Sequence, residues 1–187
     1  MNKKVVALFI SFIIANYLPA QTANEKNRHS PTGKNNSLAA GPVMAAGNFS
    51  FTHSIGFSID YTRTTKRMGT LTGKPSQTVG LLLNTGMNYL IGKKETVSGY
   101  PYQYPGYSLL YGTVGLISNP LKKMNFTAAM GPSIRLYNST SSFALYTKIS
   151  ASYFFHQRIA VTPAISIINE SGTKPLLTAG LSASIAF

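Results

Sequence analysis

Apolar and polar residues alternate along the final segment of the chain, LLTAGLSASIAF (176–187). The odd positions from Leu177 to Phe187 are all apolar, whereas the even positions from Thr178 onward are small and mostly polar. Successive side chains of a β-strand point to opposite faces, so the segment predicts a strand with one wholly apolar face. Such a small, polar opposite face is unusual for a soluble sandwich core and typical of the lumen side of a membrane barrel.

The same alternation recurs upstream between turn residues, and no helical period of useful length appears after Leu38. Most of the segments reach the roughly 9–11 residues that a tilted membrane strand needs. Together they predict an all-β fold, a single eight-stranded antiparallel up-and-down transmembrane β-barrel. The predicted strands are 38–47, which is the weakest, 55–63, 78–91, 107–118, 124–137, 143–155, 159–168 and 176–187.

Charged residues within the strands share the face opposite the apolar stripe, as Arg135 and Lys148 do. If the stripe faces lipid, these charges avoid the roughly 2–4 kcal/mol cost of a basic side chain on the lipid face at the midplane. Two features fit less well. Pro132 and Pro163 remove ladder donors, so we expect a bulge or a strand end at each. The connection 64–77 is long for a periplasmic turn.

The N-terminus predicts export. Lys3 and Lys4 precede an apolar run that is too short to span a bilayer, and Ala20 offers a cleavage site. We therefore expect a signal peptide at 1–20, a flexible periplasmic leader at 21–37 and an outer-membrane β-barrel at 38–187. An uncleaved anchor helix is the alternative.

Composition narrows the possible partners. There is no cysteine, which excludes disulfides, thiolate zinc sites and a lipid-modified cysteine. The chain has 17 Lys and Arg against 4 Asp and Glu, and removal of 1–20 leaves 15 against 4, a net charge of +11. Export argues against nucleic acid as the partner, so outer-membrane lipids and lipopolysaccharide are the expected counterions.

Four stretches carry a resemblance to a known family: GNFSFTHSIGFSIDY, MNYLIGKKETVSGYPYQYPG, ASYFFHQRIAVTPAIS and the terminal LSASIAF. Over roughly 38–187 the chain resembles the small eight-stranded outer-membrane β-barrels of Gram-negative bacteria, the OmpA/OmpX-like barrels in their Bacteroidota form. The resemblance implies location in the outer membrane rather than a particular chemistry. It also implies that the last strand, ending in Phe187, is recognised by the barrel assembly machinery.

The longest predicted extracellular loop is 92–106; the others are 48–54, 138–142 and 169–175. Tyr100, Tyr102 and Tyr104 alternate there with prolines, which predicts a stiff, polyproline-like recognition segment for sugar or peptide. The alternative is that these tyrosines pack against the barrel rim.

Asp60 is the only acid within a predicted strand, and it lies on the lumen face. We expect it to pair with Arg135 or Lys148 in a lumen ion network, or else to lie solvated near the rim.

The other basic residues are distributed unevenly between the two ends of the predicted barrel. A basic periplasmic rim favours binding of phospholipid head groups, with simple solvation as the alternative. The predicted periplasmic side holds Lys26, Arg28, Lys34, Arg63, Lys66, Arg67, Lys74, Lys122, Lys123 and Arg158, and the predicted outside holds Lys93, Lys94 and Lys174.

Catalytic and metal-binding signals are weak. His53 beside Ser54, or His156 with Ser152 and Glu170, do not converge as nucleophile, base and orienting acid. No metal-ligand spacing and no cofactor motif is present. The sequence predicts a non-enzymatic barrel with a structural or surface-interaction role. The alternatives are a lipid-modifying outer-membrane enzyme, of the lipid A deacylase or acyltransferase type, and a soluble exported ligand-binding calyx.

Overall fold

The structure is a computed structural model that describes residues 36–70, 78–97, 99–121 and 123–187. The predicted signal peptide, and the predicted leader as far as residue 35, lie outside the described residues.

Within these ranges the chain forms a closed antiparallel barrel. The strands are β1 (Asn36–Ala46), β2 (His53–Thr70), β3 (Thr78–Gly92), β4 (Lys94–Val97), β5 (Tyr100–Gln103), β6 (Tyr107–Leu121), β7 (Met124–Tyr137), β8 (Thr140–Phe154), β9 (Ile159–Glu170) and β10 (Leu176–Ala186). Eight of them close in the order β1-β10-β9-β8-β7-β6-β3-β2, and β4 and β5 form a separate two-stranded hairpin. This confirms the predicted all-β fold, including the first strand, for which the alternation is weakest.

The register gives the barrel its stagger. From Asp60, one direction round the sheet leads through Ala39, Ser184 and Ala160 to Phe154 on β8. The other direction leads through Gly86, Tyr111 and Ser133 to Ala144 on the same strand, ten residues away (154 − 144 = 10). With strands about 4.8 Å apart, this stagger corresponds to a tilt of about 40°, within the usual range for small barrels.

Side chains sort to the two faces as the alternation predicts. Outward positions carry exposed apolar groups, with Ile149 61% exposed. Inward positions carry buried polar groups such as Ser58, Asn88 and Thr178. In the described part of the chain, no helix is long and apolar enough to cross a bilayer.

The prediction of a connection at 64–77 is wrong for residues 64–70, because β2 continues to Thr70. This extension is polar and has no apolar stripe, which is why the alternation did not reveal it. Register shifts between Thr64 and Lys66 and between Arg67 and Gly69 twist the strand there. Residues 71–77 lie outside the described residues.

The expectation of a bulge or strand end at Pro132 and Pro163 is also wrong. Both prolines lie inside continuous strands. Backbone pairing is interrupted beside each proline with only one of its two neighbouring strands, β6 for Pro132 and β8 for Pro163, and it resumes in the same register. On the other side the ladder is unbroken, with Pro132 opposite Leu145 and Pro163 opposite Leu181. One intact ladder holds the register while the other tolerates the missing N–H group.

We call the end of the barrel that carries β4 and β5 the hairpin end, and the end where β1 begins and β10 finishes the terminus end. At the hairpin end, a short 3₁₀ helix (Gly47–Phe51) connects β1 to β2. Asn138 and Ser139 join β7 to β8, both with positive φ, as the type I′ form of a two-residue hairpin turn requires.

Candidate functional site

The lumen contains an ion pair that spans its width. Lys148 Nζ on β8 lies 2.8 Å from Asp60 Oδ1 on β2, and both side chains are largely buried. Four steps separate these strands in either direction round the barrel, so the pair joins opposite walls. The structure thus brings together two of the three residues expected to form a lumen ion network.

Two tyrosines and a glycine complete this layer. The Tyr111 hydroxyl donates to Asp60 Oδ1, and its ring stacks on Tyr146 with centroids 4.1 Å apart. The Tyr146 hydroxyl in turn lies 2.8 Å from Ser166 Oγ. Tyr111 can approach because residue 86 is glycine: a Cβ there would lie 2.6 Å from the Tyr111 hydroxyl oxygen.

Arg135, the third expected member, belongs to a different layer nearer the hairpin end. Its Nη1 lies 2.5 Å from Glu170 Oε2, and the Tyr107 hydroxyl donates to Glu170 Oε1 at 2.6 Å. Asp60 therefore pairs with Lys148, one of its two expected partners, whereas Arg135 pairs with Glu170 and does not join Asp60. Asp60 is also not the only acid within a strand, because β9 runs to Glu170, two residues into the predicted loop 169–175. Extending the alternation Ser166, Ile168, Glu170 by one step would have revealed this.

His53 is buried among aromatic side chains at the hairpin end of the lumen. Its ring lies 4.7 Å from that of Phe49 and 5.7 Å from that of Tyr107, measured between centroids. Nε2 lies 3.2 Å from the carbonyl oxygen of Pro105, and Nδ1 lies 2.8 Å from Thr52 Oγ1. A carbonyl only accepts, so Nε2 carries a proton. The histidine thus fastens the loop after β5 to the barrel mouth.

Together these layers fill the hairpin half of the lumen with side chains. The apolar members form one buried cluster, and a cavity beside Tyr146 and Lys148 measures about 10 Å³, room for about one water molecule. The cluster consists of Val43, Ala45, Phe49, Leu90, Tyr107, Leu109, Tyr111, Tyr146 and Ile168.

The tyrosine segment forms a β-hairpin, so the polyproline-like prediction is wrong. Pro101 pairs with Thr96, and the backbone N–H of Tyr104 donates to the carbonyl of Lys93 at 2.9 Å, which continues the pairing. Tyr100 is 77% exposed and Tyr102 47% exposed, so neither is packed away against the rim.

Tyr104 lies at the base of this hairpin. Its ring meets that of Tyr102 edge-on at 5.0 Å, and its hydroxyl lies 3.5 Å from Glu95 Oε2. Desolvation and the nearby Glu95 carboxylate raise the pKa of the Tyr104 hydroxyl.

No protein-family model matches the sequence, and no curated protein matches it either. Among solved structures, the chain is similar to Ail, the attachment invasion locus protein of Yersinia pestis, in complex with the heparin analogue sucrose octasulfate. The identity is 12%, the TM-score is 0.55, and the match covers 82% of this chain and 99% of Ail. The structure of the outer membrane protein Ail in a phospholipid bilayer nanodisc matches with the same identity, coverage and TM-score. The chain has the fold of the small outer-membrane β-barrels.

The barrel does not bring together the histidine, serine and acid considered as catalytic groups in the sequence. His53 is held by Thr52 and Pro105, whereas the Ser54 hydroxyl donates to the carbonyl of Ile91 at 3.2 Å. His156 is exposed at the terminus end, and Glu170 is buried at the hairpin end. Among the described residues, no group of three or more His, Cys, Asp or Glu could hold a metal ion.

Proposed function

We propose that this chain is a non-enzymatic outer-membrane barrel that acts at the cell surface through its hairpin end. The exposed apolar side chains around the barrel suit a lipid environment, and a charged side chain on the lipid face would be costly. The buried charges pair inside the lumen instead. This arrangement also argues against the soluble calyx, which would place apolar groups inside around a ligand.

The observation that carries the proposal is the exposure of the tyrosine hairpin. Tyr100 and Tyr102 share one face of β5, and both side chains remain accessible. Tyrosine offers a large contact area with few rotatable bonds, so it loses little entropy on binding. Lys93 and Lys94 are exposed at the start of the same hairpin. The surface therefore combines aromatic faces with positive charge.

This combination favours an anionic sugar as the ligand class. Pyranose rings stack on aromatic faces, and sulfate or phosphate groups pair with lysine. Ail was crystallised with sucrose octasulfate, which makes that compound a suitable first probe for this chain as well. The filled lumen supports a surface role over a transport role, because eight strands leave an interior just wide enough for side chains.

Two measurements test the proposal. Membrane fractionation with a heat-modifiability gel should place the protein in the outer membrane, with a band that shifts on boiling. Cells displaying the protein should bind labelled sucrose octasulfate, and Y100S/Y102S should reduce that binding at least fivefold. The matched control is F51S, which removes an exposed aromatic ring from the neighbouring 3₁₀ helix and should leave binding unchanged. A soluble periplasmic band would refute the membrane placement, and equal binding by all three proteins would refute the role of the hairpin.

A further inference from the structure

Two exposed cations lie on either side of the end of β8, at the terminus end of the barrel. The backbone carbonyl of Lys123 accepts from the N–H of Phe154 at 2.8 Å, which fixes Lys123 beside β8. Arg158 lies in the tight turn between His156 and Ile159, and its carbonyl accepts from the N–H of Ala186 at 2.8 Å. Since neighbouring strands are about 4.8 Å apart, the two backbones are separated by about two strand spacings, roughly 10 Å.

Acidic side chains are absent from this end among the described residues. Asp60 and Glu170 are buried in the lumen, each against its own cation. Glu95 lies on the hairpin at the opposite end of the barrel. Lys123 and Arg158 are both exposed, so their positive charges are accessible at this rim.

Outward-facing aromatic side chains border these cations. Phe155, 57% exposed, directly follows β8 and precedes the turn that holds Arg158, and Tyr153, 48% exposed, lies two residues earlier near the end of β8. Tyr153 pairs with Met124, the residue after Lys123. Positive charge and an exposed apolar surface therefore meet along one edge. A free phosphate would contact the cations alone, whereas a phospholipid offers a phosphate and acyl chains together.

We propose that Lys123 and Arg158, with Tyr153 and Phe155 below them, form a docking site for the head group of an anionic phospholipid. This inference rests on the proposed outer-membrane placement, in which the terminus end meets the periplasmic leaflet. The two backbones are close enough for both flexible side chains to reach a single head group. Each basic residue near an anionic lipid surface strengthens binding by about fivefold, so the pair should contribute about twenty-five-fold.

The test uses the full chain, exported and purified in a zwitterionic detergent. Lipid retained by the folded barrel is measured by native mass spectrometry after titration with phosphatidylglycerol or phosphatidylcholine. We expect a preference of tenfold or more for phosphatidylglycerol. K123Q/R158Q should abolish most of this preference, while the charge-preserving K123R/R158K should retain it. K93Q/K94Q is the matched control, because it removes the same two charges from the hairpin end.

The outcomes separate this site from its alternatives. Equal losses in K123Q/R158Q and K93Q/K94Q would show that only net charge matters, and would overturn the site. So would an unchanged preference in K123Q/R158Q, or displacement of bound lipid by inorganic phosphate at the lipid concentration. A heat-modifiability gel confirms that each variant is folded. A wild-type protein that fractionates with the outer membrane but shows no lipid preference would refute this inference and leave the proposed function standing.

Discussion

Lys148 Nζ lies 2.8 Å from Asp60 Oδ1 and thereby joins two strands on opposite sides of the barrel. The hydrogen bonds of the sheet connect only neighbouring strands. This ion pair therefore adds a link across the lumen between strands that are not hydrogen-bonded to each other. A second pair, Arg135 with Glu170, spans the shorter distance from β7 to β9 nearer the hairpin end. A tyrosine hydroxyl donates to the carboxylate in each pair, from Tyr111 in one and Tyr107 in the other. The lumen is therefore closed by two layers of similar composition.

Removing one partner of the Asp60–Lys148 ion pair should destabilise the barrel strongly. D60N or K148M leaves an unpaired charge or an unfilled acceptor in the lumen, at a cost of about 3–5 kcal/mol in the free energy of unfolding. Urea titration of the folded barrel in lipid vesicles measures this. The double variant D60N/K148M should lose less than the sum of the single variants, because it removes both charges. Strictly additive losses would contradict a direct interaction.

Replacing Gly86 by alanine should destabilise the barrel, whereas replacing Gly112 should not. A Cβ at position 86 would lie 2.6 Å from both the Tyr111 hydroxyl oxygen and the Ile59 carbonyl oxygen. G86A should therefore lower the free energy of unfolding by about 1–3 kcal/mol through overpacking. G112A is the control, because a Cβ there meets nothing within 4 Å. The same unfolding titration should show G112A close to wild type, and equal effects would contradict the packing of Tyr111 over Gly86.

A charge placed on the outward face should cost more at mid-strand than at the rim. Ile149 lies on the outward face in the middle of β8, and I149R should cost about 2–4 kcal/mol in a bilayer. Phe143, 79% exposed near the turn at the hairpin end, provides the comparison, and F143R should cost about 0–1 kcal/mol. Unfolding in vesicles reports both values. Similar costs at the two positions would show that the apolar belt is not at membrane depth.

The wild-type barrel should not conduct ions. The stacked rings of Tyr111 and Tyr146, with the ion pair beside them, occupy the middle of the lumen. Planar-bilayer recordings should show no stepwise current for the wild type and brief steps for Y111S/Y146S, in which both rings are removed. Y153S, on the outward face, serves as the control and should stay silent. Steady current through the wild-type protein would show that the lumen is not closed by these rings.

The strands and their faces could be read from the sequence because the signal is local. Alternation with a period of two decides which side chains share a face, and it places Asp60, Lys148 and Arg135 together on the inside. The same reasoning failed where the local signal is absent. The polar extension of β2 to Thr70 carries no stripe, and the prolines suggested interruptions that an intact neighbouring ladder prevents.

The alternation of apolar and polar residues predicts an eight-stranded barrel with an apolar exterior, a polar interior and a tyrosine-rich loop, but not whether that loop is exposed. Which interior charges meet depends on the closed fold. Asp60 reaches Lys148, and Arg135 reaches Glu170, because closure and a ten-residue stagger bring distant strands to the same level. Alternation gives the face of a residue but carries no information on its height relative to the other strands. That height is set by the register of the closed sheet.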